Sequence, residues 1–580
     1  MRVCSAKEYT NFLKEKRLIL NLYDPCFILN KLQIMNICAN TQEIEKQYHE
    51  SLKSFSNVED EKKSDITICF IGIKGSKFNS HTKIPELTCF AKFIVAQSDS
   101  IKLISNDIEK FCKEKNVCLV EVQDSKEAMA FLFKYFYDLQ DEQFNIFAFT
   151  GTDGKTSMVT ILQLLFNRMK FPAASIGTLG IMKGYKNFKL SKSTPTTPEI
   201  YDLYNILYEL KKKDVSNIFI EATSIASVQK RLSSISFDTL SFTTLTSDHL
   251  DFHGTLASYY EAKLKFIDQL AASDKPIKIL FYNTDDSNAD LVFERASSYP
   301  SILIAGYGFS NRSDFKIDAY SYTDNKLMID VLYPASISNL HFYNKRLSSN
   351  PDDSGFEIKF RQQLPFKKIN LRSNLIGKAN VYNITHAFAI LYLFFTLFLK
   401  KTVDHFEKII LSNKAVFEEL MIPGRFERIS YMGHDIYIDY AHTADAIENA
   451  IKTLKEAGYK SIITIMGCGG DRDQSKRAPM GKVASELSDI FIITSDNPRN
   501  EEPEKIIEDI LKGVNKNNFL VESDRKKAIS TGIEKLKMMP AASALLIAGK
   551  GHEDYIEKKG VKYHFSDKEE VLKIILKNKT

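Results

Sequence analysis

The residues whose types and spacing could do chemistry begin at Thr150-Gly151-Thr152-Asp153-Gly154-Lys155-Thr156-Ser157. The apolar run FNIFAFT leads into them and MVTILQLLFNRM follows. A strand, a glycine loop and a helix in that order make a cradle for phosphate. Gly151 and Gly154 let the backbone approach phosphate oxygens, and the loop amides and helix N-terminus supply partial positive charge. Lys155 neutralises the outer phosphates, and a hydroxyl at Thr156 or Ser157 can ligate Mg²⁺. The run reads as an ATP site, although by itself it names no reaction.

Such a loop needs a sheet to hold it. Strand-like runs NIFIEA, TLSFTTL and IKILFYN alternate with amphipathic segments, and this alternation predicts a mainly parallel, doubly wound α/β sheet. Glu221 ends one of those runs, where open α/β sheets place ligands. From Asn311 to Lys368 the rhythm breaks into short strands and a polar stretch, RLSSNPDDSGFEIK, that reads as an exposed excursion. After MIPGRFERIS the runs DIYIDY, SIITIMG, DIFIITSD and ALLIAG predict a separate α/β domain. Near the start, a Lys/Glu/Ser-rich stretch from Glu43 to Ser64 reads as a solvated insertion before ITICFIGI.

The 580 residues are enough for three or four domains. Interleaved charges, 78 Lys+Arg against 73 Asp+Glu, provide no basic face and disfavour nucleic acid as a partner. None of the eight cysteines forms a C-x-x-C pair, which fits a reducing cytosol. The opening MRVCSAKEYTNFLKEK lacks the order of a signal peptide. The most apolar stretch, Ala387 to Leu399, is too short to span a bilayer and reads as a buried helix. A cytoplasmic enzyme without membrane insertion is the expectation.

TGTDGKTS resembles the T-G-T-N-G-K-T-[ST] signature of the Mur ligases, with Asp153 in place of Asn. TTPE at Thr196 to Glu199, EATSIASVQKR at Glu221 to Arg231 and TSDHLDFHGTLASYYEAK at Thr246 to Lys263 are similar to further blocks of that family. LIGKANVYN, PGRFERI, IDYAHTADAIE, MGCGGDRDQSKRAPMG, SDNPRNEEP, SDRKKAI and AGKGHEDY resemble the branch that adds a diamino acid, the UDP-N-acetylmuramoyl-tripeptide synthetases. The resemblance covers nearly everything from Asn145 onward and is loose before it.

What it implies is an acid–amino-acid ligase. ATP phosphorylates the D-glutamyl carboxylate of UDP-MurNAc-L-Ala-D-Glu, and an amine attacks the acyl phosphate through a tetrahedral intermediate. ATP would lie on Gly151, Thr152, Asp153, Gly154, Lys155, Thr156 and Ser157, with Asn380 and Asn383 edging adenine. Arg425, Asp439 and His442 would approach the nucleotide from the C-terminal domain. Mg²⁺ would be held by Thr156, and a second ion by Glu221, His249 and Lys263, the last as a carbamate. The catalytic set is thus Lys155, Glu221, His249, Lys263 and His442. Thr196, Thr197, Thr223, Ser224, Gln229 and Arg231 would contact the UDP-MurNAc-dipeptide, with Thr41 nearest to the family's uridine motif. His253 and His386 receive no catalytic role.

Asp496-Asn497-Pro498-Arg499 resembles the motif associated with meso-diaminopimelate, whose distal end carries an amine and a carboxylate. A guanidinium makes paired hydrogen bonds to a carboxylate, and leaving it unpaired is costly. Arg499 therefore favours diaminopimelate, with Arg472, Gly549 and Glu553 completing the site and Glu553 accepting the distal ammonium. The same ligase using L-lysine or L-ornithine, and a catalytically idle nucleotide-binding homologue, remain open alternatives. Departures from the family pattern are Ala222, Thr223, Ile225 (for His), Ala379 and Ala444. The expected architecture is a monomer of three domains: a uridine-binding unit at 1–141, a P-loop ATPase at 142–421 and a Rossmann-like domain at 422–580.

Overall fold

Runs of β-branched and aromatic residues become strands close to where their patterning places them, and the glycine-bounded amphipathic runs become the helices between. The computed structural model describes residues 4–15, 18–23, 33–38, 66–73, 79–89, 91–190, 192–246, 248–338 and 365–577. Two compact units result: Met1–Thr150, Lys170–Ser241 and Ser247–Lys278 form the first, and Gly151–Met169, Phe242–Thr246 and Ile279–Thr580 the second. Thr41, the insertion from Glu43 to Ser64 and the polar run RLSSNPDDSGFEIK lie outside the described residues.

The first unit opens with strands β1 (Cys4–Ser5), β2 (Ile19–Tyr23), β3 (Gln33–Cys38), β4 (Ile66–Ile71), β5 (Phe93–Gln97) and β6 (Cys118–Val122), in the order β1-β3-β4-β5-β6-β2. The middle four strands are parallel and the two edges antiparallel. Its next strands are β7 (Asn145–Thr150), β8 (Ala173–Gly177), β9 (Gly180–Lys183), β10 (Lys186–Asn187), β11 (Asn217–Glu221) and β12 (Thr239–Phe242), ordered β10-β9-β8-β11-β7-β12. Strands β8, β11 and β7 are parallel, as the apolar runs predict. Every residue of β8 and β11 is buried, the mark of a sheet covered on both faces. The antiparallel extension through β9 and β10 has no counterpart in the sequence expectation; it folds back by a tight turn after Gly177, and strands of four and two residues are too short to show an alternation. Register sets Ile220 opposite Ile176 and Glu221 opposite Phe149, so Glu221 stands at the carboxyl edge of the parallel strands.

The second unit holds the helix Lys155–Arg168 and strands β13 (Ile279–Asn283), β14 (Leu303–Gly308), β15 (Phe315–Thr323), β16 (Lys326–Pro334) and β17 (Phe366–Ser373), in that order. The run β13-β14-β15 is parallel, and β15-β16-β17 turns antiparallel, which is the break in rhythm seen after Asn311, although these strands of nine, nine and eight residues are longer than the short ones expected there. The apolar helix Lys378–Leu393 continues through a π-helical turn, Phe394–Phe398. Together they run 21 residues, so, against the expectation of a stretch too short to span a bilayer, this is the one described helix with the length and composition to do so, and 78% of its most apolar window is buried. Phe394 packs on Phe166 of the helix behind the glycine loop, ring centroids 4.6 Å apart, so this is a core helix.

The remaining strands are β18 (Glu427–Tyr431), β19 (His434–Asp439), β20 (Ser461–Met466), β21 (Ile490–Ile493), β22 (Phe519–Val521), β23 (Ser543–Ala548), β24 (Tyr555–Lys558) and β25 (Val561–His564). The first six form a sheet ordered β18-β19-β23-β20-β21-β22, parallel except for β18, and β24-β25 is a separate hairpin. One face packs Ile447, Ile451, Leu454 and Met480, the other Ile529, Ile533, Leu536 and Val571. With both faces covered, the carboxyl ends of β19, β20, β21 and β23 are left to carry polar chemistry.

Candidate active site

The glycine loop is held by a threonine-rich strap within the second unit. Thr152 N–H donates to Thr244 O at 2.6 Å, and Asp153 N–H donates to Thr244 Oγ1 at 3.1 Å. Thr152 Oγ1 donates to Thr246 O and accepts from Thr246 N–H, both at 3.0 Å. Gly151 has φ +140°, and a β-carbon there would lie 2.0 Å from Thr243 Oγ1, so only glycine fits. Gly154, φ +85°, caps the helix that starts at Lys155. Lys155 Nζ donates to Gly151 O and Thr152 O, each at 2.7 Å, folding its ammonium over the loop. Thr156 and Ser157 stand in the first helical turn, where the positive end of the helix dipole favours an anion. Asn383 Oδ1 would sit 3.6 Å from a β-carbon on Gly154, and Asn383 Nδ2 donates to Asn380 Oδ1 at 3.1 Å. Asn383 therefore reaches the end of the loop, with Asn380 hydrogen-bonded to it.

In the first unit the carboxyl edge gathers a second set. Glu221 is 1% exposed. Its Oε1 accepts from Thr178 N–H at 2.8 Å and its Oε2 from Thr178 Oγ1 at 3.2 Å. Thr178 Oγ1 is 3.1 Å from Thr196 Oγ1, Thr197 Oγ1 donates to Glu221 O at 2.7 Å, and Thr223 N–H donates back to Thr197 Oγ1 at 3.2 Å. Arg231 donates to Gln229 Oε1 and Thr197 O, and its Nε pairs with Glu199 Oε1 at 2.7 Å. Of the six positions expected to contact the dipeptide besides Thr41, Thr196, Thr197, Thr223, Gln229 and Arg231 thus lie in one hydrogen-bonded patch beside Glu221, while Ser224 faces His253 Nε2 at 2.9 Å instead.

His253, Tyr259 and Lys263 continue from Ser224. The His253 and Tyr259 rings lie edge to face with centroids 5.3 Å apart, and Lys263 Nζ sits 4.7 Å from the Tyr259 centroid. Lys263 is 2% exposed, on the helix Leu256–Ala272. Burial, helped by the charges of His249 and Lys263, pulls the His253 imidazole below its ordinary value. His249 itself is half-exposed, with φ +51°, and faces Asp248 at 3.4 Å. Among the described residues no group of three or more His, Cys, Asp and Glu is gathered as a ready metal cage.

The third set lies at the ends of β21 and β23. Asn497 is its hub: Nδ2 donates to Glu553 Oε2 at 2.8 Å, and Oδ1 accepts from Glu557 N–H at 2.9 Å and from Lys550 Nζ at 3.2 Å. Lys550, fully buried, also reaches Glu553 Oε2 at 3.2 Å and Asp496 Oδ1 at 3.7 Å. Burial pushes the Asp496 carboxyl up, against the pull of Lys550 and Arg525. Arg525 is held bidentately by Asp567, Nε to Oδ1 at 2.7 Å and Nη2 to Oδ2 at 2.8 Å. Arg499, φ +50°, donates from Nη1 to Gly470 O at 2.6 Å and pairs through Nε with Glu557 Oε2 at 3.4 Å. Pro498 O closes over Gly470, where a β-carbon would lie 1.9 Å away, and Arg472 Cγ comes within 3.7 Å of a β-carbon on Gly469. Gly549, φ +111°, brings the chain past Asp496 Oδ2. Glu553 thus bonds the Asn497 side chain directly, and Arg499 is tied to the same turn through Glu557.

Arg425 stacks on the Tyr440 ring at 4.5 Å, and Asp439 accepts from Phe426 N–H at 2.8 Å and Ala441 N–H at 2.9 Å. Burial pushes the Asp439 carboxyl up, so its visible work is to hold the PGRF turn and the DYAHT loop together. His442 Nδ1 lies 2.8 Å from Tyr440 O, with the ring exposed. His386 is wholly buried, stacked on Tyr307 with centroids 4.1 Å apart, in line with a structural histidine.

Four residues carry weight that sequence reasoning passed over. Lys192 Nζ donates to Gly177 O at 2.5 Å, to Pro195 O and to Thr196 O at 3.3 Å. Burial pulls its ammonium down to about 8 while Glu221 pulls the other way. His253 links Ser224 to the lysine helix, Lys550 centres the third set, and Glu557 pairs with Arg499. Lys192 stands four residues before Thr196 in a loop with no periodicity, and only its nearness to the TTPE block signals it.

The family described as the Mur ligase middle domain matches residues 149–391, and that described as the Mur ligase, glutamate ligase domain matches residues 424–551. A UDP-N-acetylmuramoyl-L-alanyl-D-glutamate–2,6-diaminopimelate ligase of Clostridium botulinum is 30% identical over 94% of this chain and 98% of its own. The protein of the same name from Aquifex aeolicus is 30% identical over 95% of each chain. A solved structure of a ligase with that name superposes with a TM-score of 0.61 at 24% identity, over 95% of this chain and 96% of the other. MurF from Acinetobacter baumannii superposes at 0.53 with 14% identity over the same shares, so both structures speak to the fold.

Proposed function

The chain belongs to the Mur ligase family, and from that premise we propose that it is the ATP-dependent ligase that adds meso-diaminopimelate to UDP-MurNAc-L-Ala-D-Glu. The products are the UDP-MurNAc-tripeptide, ADP and phosphate. The observation that carries the amino-acid assignment is the placement of Arg499 and Glu553 around the Asn497 hub, which matches a distal carboxylate and ammonium.

Two carboxylate-bearing partners and a triphosphate repel one another, so the protein must supply positive charge and hold the reacting atoms in line. Lys155 and the helix N-terminus bind the outer phosphates of ATP, and Asn380 and Asn383 edge its base. Arg425 and His442 approach the nucleotide from their loops, with Asp439 holding those loops in place. Thr196, Thr197, Thr223, Ser224, Gln229 and Arg231 hold the dipeptide, whose D-glutamyl carboxylate accepts the phosphoryl group. The amine held by Glu553, Asn497 and Arg499, with Asp496, Pro498, Arg472 and Gly549 shaping the pocket, then displaces phosphate from the acyl phosphate.

The donors fit Mg²⁺, which takes hard oxygen ligands. The Thr156 hydroxyl suits one ion on the phosphate loop. By the family resemblance Glu221, His249 and a carbamylated Lys263 would hold the other, and Lys263 is 2% exposed on the helix Leu256–Ala272. Bound there, the ions would cancel phosphate charge.

The uridine end belongs to residues 1–141, which include Thr41, the ATPase to 142–421 and the amino-acid domain to 422–580, in a monomer working in the cytoplasm. The test is phosphate release from the purified full chain with ATP, Mg²⁺ and UDP-MurNAc-L-Ala-D-Glu, with meso-diaminopimelate, L-lysine or L-ornithine in parallel. Release that requires the nucleotide-sugar dipeptide and is fastest with meso-diaminopimelate is expected. Equal release with all three would reassign the amino acid, and none with any would leave a nucleotide-binding homologue without ligase activity.

A further inference from the structure

Arg499 has a carboxylate beside it before any substrate arrives. Its Nε lies 3.4 Å from Glu557 Oε2, with the two side chains 19% and 24% exposed. The contact is built in by backbone pairing: Arg499 N–H donates to Glu557 O at 3.0 Å, Lys559 N–H donates to Arg499 O at 2.7 Å, and Glu557 N–H donates to Asn497 Oδ1 at 2.9 Å. Strand β24 is thereby zipped to the Asn497–Arg499 turn, and residue 557 is brought to the guanidinium. With Nε facing Glu557 and Nη1 bonded to Gly470 O, two of the guanidinium's three nitrogens are engaged.

We propose that Glu557 is a specificity-determining residue for the amino acid, an internal carboxylate that shares Arg499 with the substrate. It rests on the reading of this pocket as the diamino-acid site. A substrate with a distal carboxylate meets a guanidinium whose charge is already offset, and its own carboxylate comes near that of Glu557. A diamino acid without the distal carboxylate leaves Arg499 paired to Glu557 rather than bare, and its terminal ammonium gains a second anion beside Glu553. Both effects lower the preference for a diamino dicarboxylic acid over a diamino monocarboxylic acid. The penalty that an unpaired arginine would impose on the smaller ligand is the term that Glu557 removes.

The experiment compares kcat/KM for meso-diaminopimelate and for L-lysine in the full chain, with ATP, Mg²⁺ and UDP-MurNAc-L-Ala-D-Glu saturating, in wild type, Glu557→Gln, Glu557→Ala and Glu557→Asp. Folding is checked by circular dichroism. Both neutral variants are expected to raise the meso-diaminopimelate to lysine ratio by about five- to tenfold, the scale of a half-buried charge pair. Glu557→Asp is expected to stay near the wild-type ratio. A ratio within about twofold of wild type in both neutral variants, or an equal rise in Glu557→Asp, overturns the inference while leaving the ligase reading intact. Failure of the wild type to release phosphate with either amino acid overturns the ligase reading itself, and the inference with it.

Discussion

Gly177 and Glu221 face each other across neighbouring strands so closely that a β-carbon on Gly177 would lie 2.1 Å from Glu221 Oε1. The absence of a side chain at 177 is what lets the carboxylate fold back onto Thr178 N–H. Glu221 is therefore positioned by a residue that does no chemistry.

Gly177→Ala should displace the Glu221 carboxylate. A shift of about 1 Å in a catalytic group costs on the order of 100-fold in rate, and overpacking costs about 1–3 kcal/mol of stability. Steady-state kcat and thermal unfolding of the same preparation check this. A variant with wild-type kcat would show that Glu221 does not need its present position.

Lys192→Met should weaken turnover with the UDP-linked substrate. Lys192 ties Gly177 O to Thr196 O beside Glu221, so its loss frees the TTPE loop on one side. Charged hydrogen bonds are worth about 1.5–3 kcal/mol, which translates to a loss of about 10- to 100-fold in kcat/KM for the dipeptide. Lys192→Arg should recover part of it. Unchanged kcat/KM in Lys192→Met would remove Lys192 from the site.

Lys263 should carry a carbamate. Protein equilibrated with ¹³C-labelled bicarbonate is expected to show a carbamate carbon resonance that is missing in Lys263→Ala, and Lys263→Ala and Lys263→Arg should both lose activity. A wild-type spectrum without that resonance, or a fully active Lys263→Ala, sinks the assignment.

His386 should make the fold sensitive to acid. Burial lowers its imidazole from 6.5 to about 3. Between those values the unfolded chain binds a proton that the folded chain refuses, so the stability it contributes is whole above 6.5 and drains as pH falls, by roughly 1.4 kcal/mol per pH unit. In His386→Phe, which keeps a ring against Tyr307, the unfolding midpoint should fall less between pH 7 and pH 5 than in wild type. Parallel curves for the two proteins would contradict this.

Much of the site was legible because its signals are local. The glycine loop reads as a phosphate cradle since Gly151 and Gly154 adopt positive φ and Lys155 opens a helix, all within a few residues. Glu221 reads as a strand-end carboxylate because NIFIE is an unbroken apolar run. The break after Asn311 showed where the sheet turns antiparallel. Less legible were β9 and β10, which are only four and two residues long and follow a turn, and Lys192, whose loop has no repeat to read.

By itself, then, the sequence determined the order of strand, loop and helix, the α/β class and the blocks that align with the family, since propensity, glycine placement and hydrophobic period are all encoded over a few residues. The tertiary structure decided which charge meets which. Glu557 reaches Arg499 because β24 pairs with the Asn497–Arg499 turn, and Lys550 reaches Asn497 because β23 and β21 flank the same strand. Charges attract through space with no regard for separation along the chain, so the partner of each buried ion is set by strand order and register, which no local pattern records.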